Sequence, residues 1–207
     1  YYYSNYYFFI SIIMMERFRN ISKNTILVFA LSIAFQLVLG NYIVDGNSMS
    51  PTLKNNQRVF VNKFIYFDPY LLKDKIDLNF ESILNPKKGD VVVLDPPFPY
   101  DASKKQFVKR VIAIPGDVIE NSSGTILVNG KPYGNVFGRT SDISEIPKRI
   151  IPDGYYYVLG DNRNSSNDSR SFGLVPRKNI IGRVWVIYWP FSNFKIFDYN
   201  LISVLNS

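Results

Sequence analysis

Two short segments of the sequence carry residue types that could perform acyl transfer. The loop at 46–53 contains Ser48, and the apolar run at 106–117 contains Lys109. A serine hydroxyl attacks a carbonyl carbon when a neighbouring base accepts its proton, and a lysine can be that base when burial lowers its pKa. Each segment also has a plain alternative, namely a serine that caps a turn and a strand-edge lysine whose ammonium reaches water.

The composition removes most other routes to this chemistry. The 207 residues contain no His and no Cys, which excludes Ser-His-Asp and Cys-His mechanisms and zinc sites built on thiolate or imidazole. A general base must therefore be Lys, Asp, Glu, Tyr or an amine terminus, and neither a cofactor nor a metal is predicted. The formal net charge of +7 comes from scattered basic residues, so nucleic acid is not a predicted partner.

A third segment, the polar loop at 160–173, could support such a site. It contains charged and hydroxyl side chains of the kind that hold neighbouring groups in place, including Asp161, Ser166, Asp168 and Arg170. A loop of this type binds a cation, forms a solvated turn, or steadies an adjacent site by hydrogen bonds. It does not follow the EF-hand spacing, because no Glu closes it at the twelfth position.

An uncharged apolar run near the N-terminus predicts the element that precedes these segments. Residues 25–44 have about the 20-residue length that a membrane-spanning helix needs. Basic residues stand before it: Arg17, Arg19 and Lys23. Such charges favour the cytoplasm for the N-terminal side. A cleavable signal peptide has the same layout, but the apolar run is long for one, so a retained transmembrane anchor is favoured.

The residues before this run are aromatic and low in complexity. Residues 1–24 are interpreted as a cytoplasmic lead. Within it, residues 1–13 precede Met14 and Met15, so they are either upstream of the biological start or a short interfacial segment. The apolar stretch at 6–15 is too short to span a bilayer.

The remaining residues, 45–200, predict one β-rich catalytic domain with a small insert near 121–151. Runs rich in β-branched residues predict strands at 58–63, 90–94, 106–114, 155–159 and 183–188. The dipeptide Asn129-Gly130 lies between ILV at 126–128 and KPY at 131–133 and predicts a tight hairpin. The more polar region at 66–85 predicts a short helix or a long loop.

Together, the polar segments resemble the motifs of the type I signal peptidase family. The sequence SMSPTL at 48–53 is similar to its nucleophile motif, and KRVIA at 109–113, followed by PGD, is similar to its lysine motif. The sequence GDNR at 160–163, with the serine, aspartate and arginine that follow it, is similar to its late motif. Residues 58–59 and 89–92 are similar to its strand motifs. The motifs occur in the family's order after one predicted membrane helix.

The resemblance implies a fold and two catalytic residues. The fold would be mainly β, a compact antiparallel sheet or half-barrel preceded by one N-terminal transmembrane helix. Ser48 would be the acylating nucleophile, and Lys109 would be the general base that takes its proton. The Ser48 backbone N–H would supply one oxyanion donor. Gly46 stands where one branch of the family has a serine that supplies the second donor, although other branches also have glycine.

The resemblance also assigns supporting roles in the polar loop. Ser166 would hydrogen-bond the amine of Lys109 and orient it. Asp168 would steady that serine and the nearby Arg170, while Asp161 would hold the loop in place. These roles come from the family and not from the spacing of the residues.

The implied substrates are signal peptides of secreted preproteins, cut after small residues of the Ala-x-Ala type. The enzyme would lie in the cytoplasmic membrane as a single-pass protein, with its catalytic domain on the outer side and in contact with lipid. The substrate would bind in an extended form, as in β-strand addition. It would contact Tyr42, Val44, Asp45, Gly46, Met49, Leu53, Phe107 and Val108.

Two other functions share parts of this pattern. Self-cleaving repressor-type enzymes also use a Ser/Lys pair, but they carry a DNA-binding domain where this chain has its predicted membrane span. A catalytically inactive, membrane-anchored β-domain could act as a binding or assembly module. Such a module would be expected to lack Ser48 or Lys109, and both are present.

Overall fold

The computed structural model describes Arg17 and residues 23–33, 35–36, 38–66, 85–97, 106–122, 125–133 and 147–197. Residues 1–39 and 40–207 form two compact units. In the first unit, residues 23–33 are helical and exposed. Among the residues described, no helix is both long and apolar enough to cross a membrane. Most of the lead predicted at 1–24 lies outside the described residues.

The last part of the apolar run predicted as an anchor at 25–44 is not helical, because Leu39–Ile43 form a β-strand. Gly40 favours this outcome, since glycine weakens a helix and a Cβ at this position would collide with the side chains of Tyr42 and Lys63. Val44, the last residue of the run, is buried in the core of the second unit. The end of the predicted helix is therefore a strand that packs against protein.

The second unit is mainly β, as predicted, and between residues 58 and 196 the strands of its larger sheet pair antiparallel. Its strands are β1 (Leu39–Ile43), β2 (Arg58–Asn62), β3 (Val91–Leu94), β4 (Phe107–Ala113), β5 (Val118–Ser122), β6 (Thr125–Val128), β7 (Lys131–Pro132), β8 (Arg149–Ile150), β9 (Tyr155–Leu159), β10 (Val175–Pro176), β11 (Ile180–Trp189) and β12 (Lys195–Ile196). The larger sheet has the order β1-β2-β11-β3-β4-β9-β10, with β12 paired to β11, and the smaller sheet has the order β7-β6-β5-β8.

The β-branched runs form strands where the sequence predicts them. β2, β3, β4 and β9 each lie within a predicted run. β11 is longer than the predicted strand at 183–188 because it pairs with two different neighbours. Its first part pairs with β3 between Ile180 and Arg183, and its second part pairs with β2 as far as Trp189. This long strand therefore joins the two halves of the larger sheet.

The hairpin predicted at Asn129 and Gly130 joins β6 to β7. Both residues have positive φ angles, 54° and 75°, which is what a type I′ turn requires. The side chain of Asn129 also donates to Asp117 Oδ1 at 2.7 Å and accepts from Val118 N–H at 2.8 Å. These bonds tie the turn to the start of β5.

Two predicted stretches are described only in part. The region predicted as a helix or loop at 66–85 is preceded by a 3-10 helix, Phe64–Tyr66, and residues 67–84 lie outside the described residues. The insert predicted near 121–151 contains β6, β7 and β8. Its residues 123–124 and 134–146 also lie outside the described residues.

The larger sheet is covered on both faces, as β3 demonstrates. Val91 and Val93 belong to one core cluster and Val92 and Leu94 to another, which follows from the alternation of side chains along a strand. A third cluster joins β4 and β9 to β5 and β6. β4 lies between β3 and β9 in the sheet, so a polar side chain on β4, such as Lys109, begins in apolar surroundings.

Candidate active site

Ser48 lies in a loop that is anchored by buried apolar side chains. Val44, Met49 and Leu53 belong to one core cluster, and the Val44 N–H donates to Gln57 O at 2.8 Å. Burying each large apolar side chain contributes about 1.5–3 kcal/mol, so displacing this loop would be costly. Ser48 itself is half-buried, in contrast to these core side chains.

Lys109 reaches this hydroxyl from β4. Its Nζ lies 2.8 Å from Ser48 Oγ, and the residue is only 3% exposed. Burial lowers the pKa of Lys109 from 10.5 to about 8, because desolvation penalises the ammonium form. Asp168 and Asp161 raise this pKa and Arg170 lowers it, but these effects are smaller than desolvation. Above pH 8 the amine is mostly neutral and can accept a proton.

The aromatic ring of Phe107 helps to keep water from this amine. Lys109 Nζ lies 5.2 Å from the ring centroid of Phe107, and the two side chains are two residues apart on β4, on the same face of the strand. The Phe107 ring in turn packs against Phe172, with 6.2 Å between centroids. An apolar wall of this kind maintains the desolvation that lowers the lysine pKa.

Asp168 organises the polar loop from its centre. Its carboxylate accepts a hydrogen bond from Gly160 N–H at 3.0 Å and one from Arg170 Nε at 2.8 Å. It also caps the short helix Ser169–Phe172 by accepting from the Arg170 backbone N–H. Asp168 is fully buried, and its buried charge is paired with the guanidinium of Arg170. The structure thus brings these two predicted residues together.

Ser166 differs from its predicted role. Its Oγ is buried and makes no hydrogen bond within the part of the chain that the structure describes, whereas the resemblance implies a bond to Lys109. The Lys109 amine is directed at Ser48 Oγ instead. Ser166 packs against Gly160, where an added Cβ would collide with Ser166 Oγ and with the Ser48 carbonyl oxygen. The predicted serine therefore lies beside the backbone of the nucleophile loop.

Asp161, the remaining predicted support, pairs with an arginine that the sequence did not single out. Arg110 donates to both carboxylate oxygens of Asp161, at 2.8 Å from Nε and 2.7 Å from Nη2. The same guanidinium donates to Gly89 O at 2.7 Å and to Thr52 Oγ1 at 3.3 Å. Arg110 therefore links the polar loop to the nucleophile loop and to the turn before β3. One feature of the sequence could have indicated this role. Side-chain alternation places Arg110 on the opposite face of β4 from Lys109, so both faces of an otherwise apolar strand carry a charged residue.

Asn162 is a second residue that the sequence did not single out. Its backbone N–H donates to Ser48 O at 2.9 Å, and its side-chain Nδ2 donates to Asn47 O at 3.3 Å. The polar loop thus contacts the backbone on both sides of the nucleophile. Its place in the GDNR motif at 160–163 is the one property of the sequence that distinguishes Asn162 from the other asparagines of this loop.

The residues predicted to contact substrate differ in their exposure. The exposed ones are Asp45 and Gly46, and the half-buried ones are Tyr42, Phe107 and Val108. Val44 is 5% exposed and Met49 is 1% exposed. Met49 and Leu53 differ from the prediction, because their side chains have almost no exposed surface. Both turn inward to the core cluster of the nucleophile loop, so they support the binding surface from behind.

Comparison of the sequence with known proteins identifies its family. The family model described as signal peptidase, peptidase S26, matches residues 18–189. Signal peptidase IB of Staphylococcus aureus is 37% identical over 184 residues, covering 80% of this chain and 85% of that protein. Signal peptidase I of Leptolyngbya laminosa is 36% identical over 186 residues, covering 86% of this chain and 80% of that protein. A crystal structure of a signal peptidase I from Enterococcus faecalis is 25% identical with a TM-score of 0.40, covering 48% of this chain and 96% of that chain.

These matches define the class of protein as a serine peptidase. More particularly, the chain belongs to the signal peptidase family, peptidase S26.

The buried Arg110–Asp161 pair should be important for stability. In Asp161→Asn the guanidinium of Arg110, whose side chain is 11% exposed, loses the charge that compensates it. Breaking a buried pair in this way costs about 3–5 kcal/mol, and denaturant unfolding measures the loss. Glu120→Gln is the matched control, because the Glu120–Lys148 pair is long at 4.0 Å and more exposed, and it should change stability by less than about 1 kcal/mol. Equal, small changes in both variants would contradict the role given to the buried pair.

Proposed function

We propose that this protein is a membrane-bound serine endopeptidase that removes signal peptides from exported preproteins and cuts after small residues. Ser48 is the nucleophile and Lys109 is the general base. The observation that carries the proposal is the 2.8 Å contact between Lys109 Nζ and Ser48 Oγ, made by a buried amine in a chain of the signal peptidase family. The relative named signal peptidase IB supports the substrate class.

In the acylation half of the reaction, Ser48 Oγ bonds to the scissile carbonyl carbon as neutral Lys109 accepts the hydroxyl proton. The carbonyl oxygen then carries the negative charge of a tetrahedral intermediate. The intermediate collapses when the Lys109 ammonium gives its proton to the leaving nitrogen and the C–N bond breaks. This step releases the mature protein and leaves the signal peptide as an ester on Ser48.

In the deacylation half, Lys109 is neutral again and takes a proton from a water molecule. The water oxygen attacks the ester carbonyl carbon, and a second tetrahedral intermediate forms. When this intermediate collapses, Lys109 returns the proton to Ser48 Oγ and the signal peptide leaves with a new carboxylate. One lysine therefore acts as base and as acid in both halves, which suits a chain without His.

The oxyanion of each intermediate needs hydrogen-bond donors, and the Ser48 backbone N–H is the first. The Gly46 N–H donates to Asn55 Oδ1 at 2.9 Å, so it is already engaged within the nucleophile loop. A water molecule or another backbone N–H takes the second place. Loss of one oxyanion donor costs about 2.7–4 kcal/mol of transition-state stabilisation, so the direction of the Ser48 N–H is important for the rate.

The edge of β4 beside Lys109 suits an extended substrate. β4 pairs with β3 from Phe107 to Arg110, while its register with β9 begins at Arg110. Because β9 begins to pair with β4 only at Arg110, a substrate strand can pair with the same edge of β4 near Val108. Tyr42 and Val108 both pack against the core cluster that contains Val44 and Met49, and we expect this surface to accept small side chains, in agreement with a preference of the Ala-x-Ala type.

The contact with lipid is supported by an aromatic hairpin, which we define as residues 185–196 of β11, β12 and the turn between them. Its exposed apolar side chains are Trp185, Trp189, Phe191, Phe194 and Ile196. Phe191 is 74% exposed, and exposed Lys195 lies among these residues. Tryptophan beside basic and apolar residues is typical of a membrane interface. The aromatic hairpin would dip into the outer leaflet of the membrane.

The anchor and the orientation complete the proposal. The apolar run that begins at residue 25 is the retained anchor, and the basic residues before it keep the N-terminal side in the cytoplasm. The unit at 40–207 then lies on the outer side of the cytoplasmic membrane, where signal peptides emerge.

A preprotein assay tests the proposed activity. The full chain in detergent should cut a preprotein after a small residue, and mass spectrometry of the products identifies the cut. Ser48→Ala and Lys109→Ala should each lower the rate at least about 10³-fold, because each removes one of the two reacting groups. The double variant should be little slower than either single variant, since the two residues act as a unit.

Exposed residues of the same types provide the controls for this assay. Ser171→Ala and Lys178→Ala alter exposed side chains and should leave the rate unchanged. Full activity of Lys109→Ala would remove the proposed base. Absence of cleavage by the unaltered protein would favour the non-enzymatic binding or assembly module.

Tryptophan fluorescence tests the lipid contact, because the only two Trp of the chain lie in the aromatic hairpin. When the full chain is reconstituted in vesicles, lipids brominated on the acyl chain should quench its emission and the emission maximum should shift to the blue. The single variants Trp185→Phe and Trp189→Phe separate the two contributions. Emission typical of water-exposed tryptophan, with no quenching by brominated lipid, would rule out this surface.

A further inference from the structure

One residue of the polar loop holds the backbone on both sides of the nucleophile. The Asn162 N–H donates to Ser48 O at 2.9 Å, which fixes the peptide that follows Ser48. The Asn162 side-chain Nδ2 donates to Asn47 O at 3.3 Å, which contacts the peptide that precedes it. Asn47 O also accepts from the Ser50 N–H at 3.1 Å, so this carbonyl has two donors.

The geometry of the Asn47–Ser48 peptide links these contacts to the Ser48 N–H, which is the oxyanion donor. The bond between Asn47 and Ser48 is trans, and in a planar trans peptide the C=O and N–H point in opposite directions. Donors that hold Asn47 O on one side therefore fix the Ser48 N–H on the other side. They also polarise the peptide and strengthen its N–H as a donor.

We propose that Asn162 is a positioning residue that aims and polarises the Ser48 N–H toward the oxyanion. The inference rests on the proposed function, in which that N–H stabilises the tetrahedral intermediates. The side-chain bond at 3.3 Å is long, and catalytic hydrogen bonds of resting enzymes commonly tighten only in the transition state.

The surroundings of Asn162 hold it in the required place. Its neighbour Asp161 is fixed by two hydrogen bonds from Arg110, and Arg163 Nε donates to Gly160 O at 3.1 Å. The absence of a side chain at Gly160 lets the polar loop approach the Ser48 carbonyl, because a Cβ there would collide with that oxygen. Asn162 is thus carried on a loop that these contacts hold against the backbone of the nucleophile.

The expected effect is on the rate of the chemical step. The bond from the Ser48 N–H strengthens as negative charge develops on the substrate oxygen, so loss of its alignment lowers kcat more than it raises KM. Removing a direct oxyanion donor lowers kcat by about 10²–10³-fold. Since Asn162 acts through the Ser48 peptide, its replacement by Ala should lower kcat by about 10–100-fold.

The test compares Asn162→Ala with the unaltered protein, using a peptide substrate and two inhibitors. A peptide aldehyde accepts Ser48 Oγ and forms a hemiacetal whose oxygen occupies the oxyanion position. A peptide with the sequence of the product binds without forming this oxygen. We expect kcat and aldehyde affinity to fall by the same factor, with KM and product-peptide affinity changed less than about twofold.

Two further variants isolate the hydrogen bond from the shape of the loop. Asn162→Asp keeps the size of the side chain but replaces the donor by an acceptor that repels Asn47 O, so its kcat should fall at least as far as in Asn162→Ala. It reports on the donor even if the alanine variant unfolds. Ser165→Ala alters an exposed side chain of the same loop and should leave kcat, KM and the thermal midpoint unchanged.

Several results would overturn the inference. Unchanged kcat in Asn162→Asp would show that the amide donor has no role. Equal losses of aldehyde and product-peptide affinity would show that Asn162 shapes the binding surface instead of the oxyanion donor. Failure of the proposed function itself would look different, because then the unaltered protein would not cleave or Ser48→Ala would remain active.

Discussion

The buried amine of Lys109 is the feature on which the rest of the site depends, because only desolvation makes this lysine a usable base near neutral pH. Its pKa is about 8 in the folded protein and 10.5 when unperturbed. Below pH 8 both the folded and the unfolded protein are protonated here, and burying the ammonium then costs roughly 3 kcal/mol. This cost decreases as the pH rises from 8 to 10.5, because in that range the unfolded state binds more protons. The core on both faces of the larger sheet must offset it.

The arginines of the site explain why desolvation lowers the pKa of Lys109 more than nearby carboxylates raise it. Two buried carboxylates, Asp161 and Asp168, lie close enough to raise the pKa of Lys109. Each is already paired with a guanidinium, Asp161 with Arg110 and Asp168 with Arg170. The carboxylates therefore hold the loops together without acting as a full counter-charge to the lysine. The same ion pairs that build the site thus keep its base neutral enough to react.

Much of this arrangement follows from the sequence, and the remainder depends on contacts between distant segments. A chain without His leaves few bases for a serine, and the apolar residues on either side of Lys109 in the sequence already indicate its burial. The β-branched runs predict β2, β3, β4 and β9 closely because strand period and composition are local properties. The Arg110–Asp161 pair joins residues 51 positions apart, and no local pattern contains it. Likewise, the backbone contacts of Asn162 depend on how closely the polar loop approaches the nucleophile loop.

The most direct test of the central claim is the titration of the Lys109 amine itself. Lysine labelled with 13C at Cε, in the full chain in detergent micelles, reports the charge of each amine through its chemical shift, and the signal absent from Lys109→Met identifies residue 109. We expect this signal to titrate with a pKa of about 8. A pKa near the unperturbed 10.5 would contradict it, because the amine would then be charged and solvated at the pH where the enzyme acts.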